Sequence, residues 1–107
     1  MDNYKIRITD QAKQHLMLIR RYIAEELKEP RTAGNLLRLL KSEILSLQTM
    51  PYRVKRIDEQ PWHDLGFRKI LVKNYYIYFW IEEENKEIYI LAVIYMRRDQ
   101  ASQLKQL

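Results

Sequence analysis

Phe67-Arg-Lys-Ile-Leu-Val-Lys73, Tyr75-Tyr-Ile-Tyr-Phe-Trp-Ile81 and Ile88-Tyr-Ile-Leu-Ala-Val-Ile-Tyr95, closed by Arg97-Arg98-Asp99, decide the fold of this chain. Rings and β-branched residues crowd each run, and polar turns, Lys73-Asn74 and Glu83-Glu84-Asn85-Lys86, separate them, so they read as three antiparallel strands. A turn centred between Glu84 and Asn85 sets Ile81 opposite Ile88, Phe79 opposite Ile90 and Ile77 opposite Ala92. The same register sets Trp80 opposite Tyr89, Tyr78 opposite Leu91 and Tyr76 opposite Val93. Side chains alternate along a strand, so one face is aliphatic apart from Phe79 and the other is rich in rings. The aliphatic face calls for helices. The aromatic face, with Tyr95 and Arg97 at its end, is expected to stay open to a partner.

The helices lie upstream. Tyr4-Lys-Ile-Arg-Ile-Thr9 alternates as a short strand with one buried face, and Thr9 or Asp10 can cap a helix. Ala12, Leu16, Ile19, Ile23 and Leu27 then form one helical stripe, which ends at Glu29-Pro30. A second helix runs from about Arg31, with Ala33, Leu36, Leu37, Leu40, Ile44 and Leu47 on its stripe, and stops before Pro51. So short a connection makes the pair an antiparallel helical hairpin, the natural cover for the aliphatic face. Leu39 and Leu45 fall off the stripe, either as scattered surface leucines or as a docking strip for a partner. After Asp99 the tail can form a short helix carrying Ala101, Leu104 and Leu107. The fold class is therefore α+β: an N-terminal strand, then a helical hairpin packed on a small antiparallel sheet, all in one domain spanning 1–107.

Composition narrows the function. A chain of 107 residues buries a core without disulfides or metal, and it has no cysteine to supply either a disulfide or a thiolate. No apolar run approaches the roughly 20 residues that cross a bilayer, and the N-terminus has no signal-peptide pattern, so a cytoplasmic protein without a membrane partner is expected. Nineteen Lys and Arg against 14 Asp and Glu leave a net charge of +5, which favours an anionic partner and also serves solubility. His15 and His63 lie on distant elements with no carboxylates at ligand spacing, so no metal and no cofactor are expected. His63 beside Asp64 suggests a dyad, but adjacent loop residues rarely face each other, and an exposed histidine is the plainer reading.

The irregular stretch 49–66 is basic at Arg53, Lys55 and Arg56 and partly compensated by Asp58 and Glu59. Loops this long inside compact domains are commonly functional. With Lys69 on the first late strand and Arg98 at the close, these are the residues expected to touch a target or RNA. Tyr76, Tyr78, Trp80 and Tyr89 read as cross-strand packing ahead of base-stacking platforms, because aromatic residues favour sheets in any case.

The whole pattern resembles the RelE/ParE superfamily, the toxin halves of bacterial type II toxin–antitoxin modules. The resemblance rests on Tyr22-Ile-Ala, on Pro30-Arg-Thr-Ala and Leu47-Gln-Thr-Met-Pro51, on Phe67-Arg-Lys-Ile-Leu-Val, on Asn74-Tyr-Tyr-Ile-Tyr-Phe, and on Val93-Ile-Tyr-Met-Arg-Arg-Asp99. The hairpin and the ending are most similar to the ParE or plasmid-stabilisation branch. It implies a cognate antitoxin as partner, for which Leu39 and Leu45 are the candidate contacts. It also implies growth arrest by one of two routes: poisoning DNA gyrase, as ParE-like members do, or cleaving messenger RNA on the ribosome, as RelE-like members do without metal. A third reading is an inactive member kept as antitoxin or repressor partner. On the nuclease route Arg68, Tyr95 and Arg97 stand where the resemblance places catalytic groups, and arginine suits phosphorane charge because its fork binds two oxygens and keeps its proton. RelE-like enzymes carry a catalytic arginine at the start of the middle strand, however, and this chain has Tyr76 there. That departure favours the ParE-like, non-enzymatic branch.

Overall fold

The computed structural model describes residues 3–107 and shows the expected order. It runs β1 (Lys5–Ile8), α1 (Asp10–Arg21), α2 (Pro30–Ser46), β2 (Arg68–Val72), β3 (Tyr75–Glu82), β4 (Glu87–Tyr95) and a short α3 (Gln100–Leu104). The strands form one sheet in the order β1-β4-β3-β2, antiparallel except for β1, which runs parallel to β4. Among the described residues no helix is long and apolar enough to cross a membrane.

Thr9 starts α1: its Oγ1 accepts from the Ala12 N–H at 3.2 Å and its hydroxyl donates to the Ile90 carbonyl at 2.9 Å. The helix does not run unbroken to Glu29. After Arg21 it widens into one π-helical turn, Tyr22–Glu26, in which the Leu27 N–H reaches back to the Tyr22 carbonyl at 3.1 Å. The wider turn slips the stripe by one position, so Ile23 stays buried while Leu27, expected inside, is exposed. Lys28, at φ 55, reverses the chain, and Pro30 opens α2 where its missing N–H has no helical partner to lose.

The hairpin covers the face of the sheet that carries Ile77, Phe79, Ile81, Ile88, Ile90 and Val93, packing Leu40, Ile44 and Leu47 against it. Leu39 belongs to this layer too. It follows Leu36 by one turn, both are partly buried against the core, and only Leu45 of the expected pair is exposed.

In the late hairpin Phe79 faces Ile90, Trp80 faces Tyr89 and Ile81 faces Ile88, as expected. Beyond Phe79 the ladder slips: Tyr78 faces Ala92, Ile77 faces Val93 and Tyr76 faces Ile94. Leu91 is the extra residue of a β-bulge, and it corrects the expected faces, sending Val93 toward the helices and Ala92 away from them. The second face is not left open either. Ile57 and Trp62 from the irregular stretch and Leu104 from α3 close over Tyr78, Ala92 and Ile94 as a second core. Tyr78 is only 1% exposed, its hydroxyl donates to Gln100 Oε1 at 2.8 Å, and burial lifts its pKa to about 12.

β1 spans four residues and β4 nine, so the edge of β4 runs on past its partner. α1 closes that edge with side chains. Beyond Thr9, the Val93 N–H donates to His15 Nδ1 at 3.1 Å. A ring nitrogen that accepts must be unprotonated, so His15 is neutral with its proton on Nε2, and burial lowers its pKa in the same sense.

Candidate functional site

Alternation along β2 sends Arg68 and Lys69 to opposite faces. The Arg68 guanidinium is drawn inward. It donates to the Val54 carbonyl and lies 5.0 Å from the centre of the Tyr52 ring. Burial, and then the neighbouring Arg56 charge, lower its pKa. Tyr52 is itself fixed, donating to Glu83 Oε2 at 2.9 Å beside Tyr4, which donates to the same oxygen at 2.7 Å. With the bond from Lys86, these donors hold the Glu83 carboxyl at a pKa of about 2. Around Arg68 opens a notch of about 120 Å³ lined by Tyr52, Arg56, Asp64, Gly66, Arg68 and Trp80.

Tyr95 stands at the other end of the sheet. Arg68 is opposite Phe79 and Tyr95 is opposite Tyr75, so the two are four β3 residues apart along the strand. That is about 13 Å along the sheet and about 10 Å across it, or about 16 Å in all. Tyr95 packs on Tyr75 with ring centres 5.7 Å apart. Arg97 follows in the exposed turn after β4, where the Met96 N–H donates to the Asn74 carbonyl at 2.7 Å. The three residues named for nuclease chemistry thus do not converge: Arg68 sits at one end, Tyr95 and Arg97 at the other. Lys69 lies on the second face with its ammonium 4.3 Å from the centre of the Tyr76 ring and 5.9 Å from that of Tyr78.

The remaining basic candidates divide by what they touch. Arg53 ties down the turn that follows α2, donating to the Thr49 and Met50 carbonyls at 3.0 and 3.2 Å. Lys55 forms a loose, fully exposed pair with Asp58 at 3.7 Å. Arg98 is exposed beside Arg97, and Arg56 reaches only a distant carbonyl, that of His63, at 3.4 Å. His63 forms no dyad with Asp64. Its Nδ1 meets the Ile57 carbonyl at 2.8 Å, which half-buries the ring, while Asp64 Oδ1 accepts from Gln60 at 3.1 Å.

Two features went unread in the sequence. One is the notch itself, because Tyr52, Gly66 and Trp80 meet only once the long loop folds back. The other is an apolar groove of about 250 Å³ between β1, α1 and α2, floored by Ile8, Leu16, Leu37 and Ile44 and rimmed by Arg38 and Lys41. Leu37 was legible as apolar, but it lines this groove rather than the core.

A model of the family described as ParE toxin of type II toxin-antitoxin system, parDE, matches residues 6–100. No curated protein matches the chain in sequence. Solved structures share the fold. The chromosomal ParDE toxin–antitoxin system from P. aeruginosa superposes with a TM-score of 0.73 at 21% identity, covering 88% of this chain and 97% of the other. The free state of a double mutant of E. coli toxin RelE gives 0.67 at 12% identity, covering 98% of each chain. The RelBE2 toxin–antitoxin complex from Mycobacterium tuberculosis gives 0.59 at 20% identity, covering 87% and 98%.

Proposed function

This chain belongs to the ParE toxin family of type II toxin–antitoxin systems, and from that premise we propose that it arrests growth by binding and poisoning DNA gyrase. One observation carries the choice over messenger RNA cleavage. Metal-free phosphoryl transfer needs cations and an acid gathered on one phosphate, within hydrogen-bond reach. Here Arg68 and Tyr95 are about 16 Å apart on the strand geometry, and Lys69 is stacked on Tyr76 at the position where a catalytic arginine would be needed. A protein that acts by binding needs no such convergence.

The cognate antitoxin is the second partner, and the apolar groove is the surface that suits it. An amphipathic segment would lay aliphatic side chains on Leu16 and Leu37 and bring carboxylates to Arg38 and Lys41. Exposed Leu45 extends the apolar surface on α2. The setting is the cytoplasm, where both gyrase and ribosomes work.

Purified protein tests the reading directly. Supercoiling by purified gyrase should fall and cleaved DNA complexes should accumulate, while translation on purified ribosomes is unaffected. Codon-positioned cuts in ribosome-bound message that vanish in Arg97→Ala would refute it in favour of the nuclease.

A further inference from the structure

The notch at Arg68 sets two guanidiniums and an indole N–H against one carboxylate, with Leu65 and Ile81 completing its wall. Arg56 and Arg68 face each other across it, and among the described residues neither forms an ion pair with a carboxylate. The indole Nε1–H of Trp80 edges the same wall beside Gly66 and finds no acceptor among the described residues. Gly66 adopts φ +84, and a Cβ there would meet Trp80 Cδ1 and Nε1 at 3.4 and 3.5 Å, so the missing side chain leaves the indole edge uncovered. Asp64 at the mouth is the one carboxylate in the lining and is engaged by Gln60. Two guanidiniums against one carboxylate leave a deficit of a single negative charge. Trp80 and Tyr52, in the same lining, remain 36% and 51% exposed.

We propose that this notch binds a phosphodiester of a nucleic acid strand, its oxygens held by Arg56, Arg68 and the Trp80 indole N–H and an adjoining base stacked on an exposed ring. A phosphodiester carries the one negative charge the notch lacks, offers only acceptors where the notch offers donors, and brings a flat π face to exposed aromatic surface. A free phosphate dianion overshoots the charge, and an aliphatic carboxylate leaves the rings unused. The site goes beyond the proposed target and stands or falls separately from it.

The chain has two glycines and two tryptophans, so the Gly66 amide and the Trp80 indole are readily resolved in an amide-correlation spectrum of the ¹⁵N-labelled protein. Titration with short single-stranded oligothymidylate and, in a second arm, oligouridylate should move both signals saturably. Arg56→Gln changes an exposed side chain and should weaken binding at least about tenfold while lowering the salt dependence by about one ion. Arg68→Lys keeps the charge but loses the fork, and it should weaken binding as well. The arm with the lower Kd tells DNA from RNA, and either supports the site. An affinity unchanged in both variants, no saturable shift, or equal competition by acetate would overturn it. Loss of gyrase inhibition with these shifts intact would refute the proposed target and leave the site standing.

Discussion

Phe79 is the most informative single side chain to remove. It is fully buried, faces Ile90 across the strand pair, and lies in the layer between the sheet and the helical hairpin. Phe79→Ala deletes a ring that the surrounding Leu40, Ile44 and Ile90 cannot collapse to fill, a loss of about 3–5 kcal/mol. Unfolding entropy for a chain of this size is about 0.22 kcal/mol per degree, so the melting temperature should fall by about 14–22 °C. Tyr89→Ala is the control on the other face. Tyr89 stacks on exposed Trp80 with ring centres 5.8 Å apart and bonds Glu87 at 3.2 Å, and its removal should cost about 1 kcal/mol. Thermal unfolding followed by circular dichroism measures both. Equal losses in the two variants, or a larger loss at Tyr89, would mean that the faces of the late hairpin are assigned the wrong way round.

Three further outcomes follow from the contacts described. Glu83, held at a pKa of about 2 in the fold, stabilises it fully above the ordinary carboxylate range, and that stability is lost as pH falls from about 4.5 through about 2. Glu83→Gln should therefore flatten the acid limb of a melting-temperature profile, and an unchanged limb would discount the Tyr4, Tyr52 and Lys86 contacts. His15 has a lowered pKa, so its share of stability is present above about 6.5 and lost as pH falls through the folded value. His15→Ala should remove that step and, by stranding the Val93 N–H, cost about 1–3 kcal/mol in chemical denaturation. Leu37→Asp should release a co-expressed antitoxin in pull-down while the free toxin keeps its far-ultraviolet spectrum, and an undiminished complex would move the docking surface elsewhere.

The strands, their turns and the Phe79–Ile90 pair were legible because four polar residues fix the turn, and counting back from it sets the register without any need for alternation. The bulge was not. From Leu91 to Ile94 every residue is apolar, both faces of that segment are covered, and a period of two carries no information when both phases are apolar. The π-helical turn hid for a related reason: a one-residue slip leaves Ile23 inside and changes only Leu27, which looks the same in sequence whether buried or exposed. Arg68, Arg56 and Lys69 were picked out by charge, yet their separation depends on strand pairing, and the notch depends on where Tyr52 and Gly66 return, which no local pattern states. Leu39 shows the same limit on a helix, where a position beside the stripe is still reached by a broad core.

The side-chain closure of the β4 edge also bears on solubility. Past Ile90 the β4 edge turned away from β3 is apolar and has no strand beside it, the kind of edge on which a second molecule can stack. Thr9 and His15 occupy its carbonyls and amide from a helix, a cover that cannot itself be extended by another strand. A toxin released from its antitoxin must stay dispersed long enough to find its target. Substitutions at these two positions should therefore show first as aggregation of the freed protein, at temperatures where the fold is still intact.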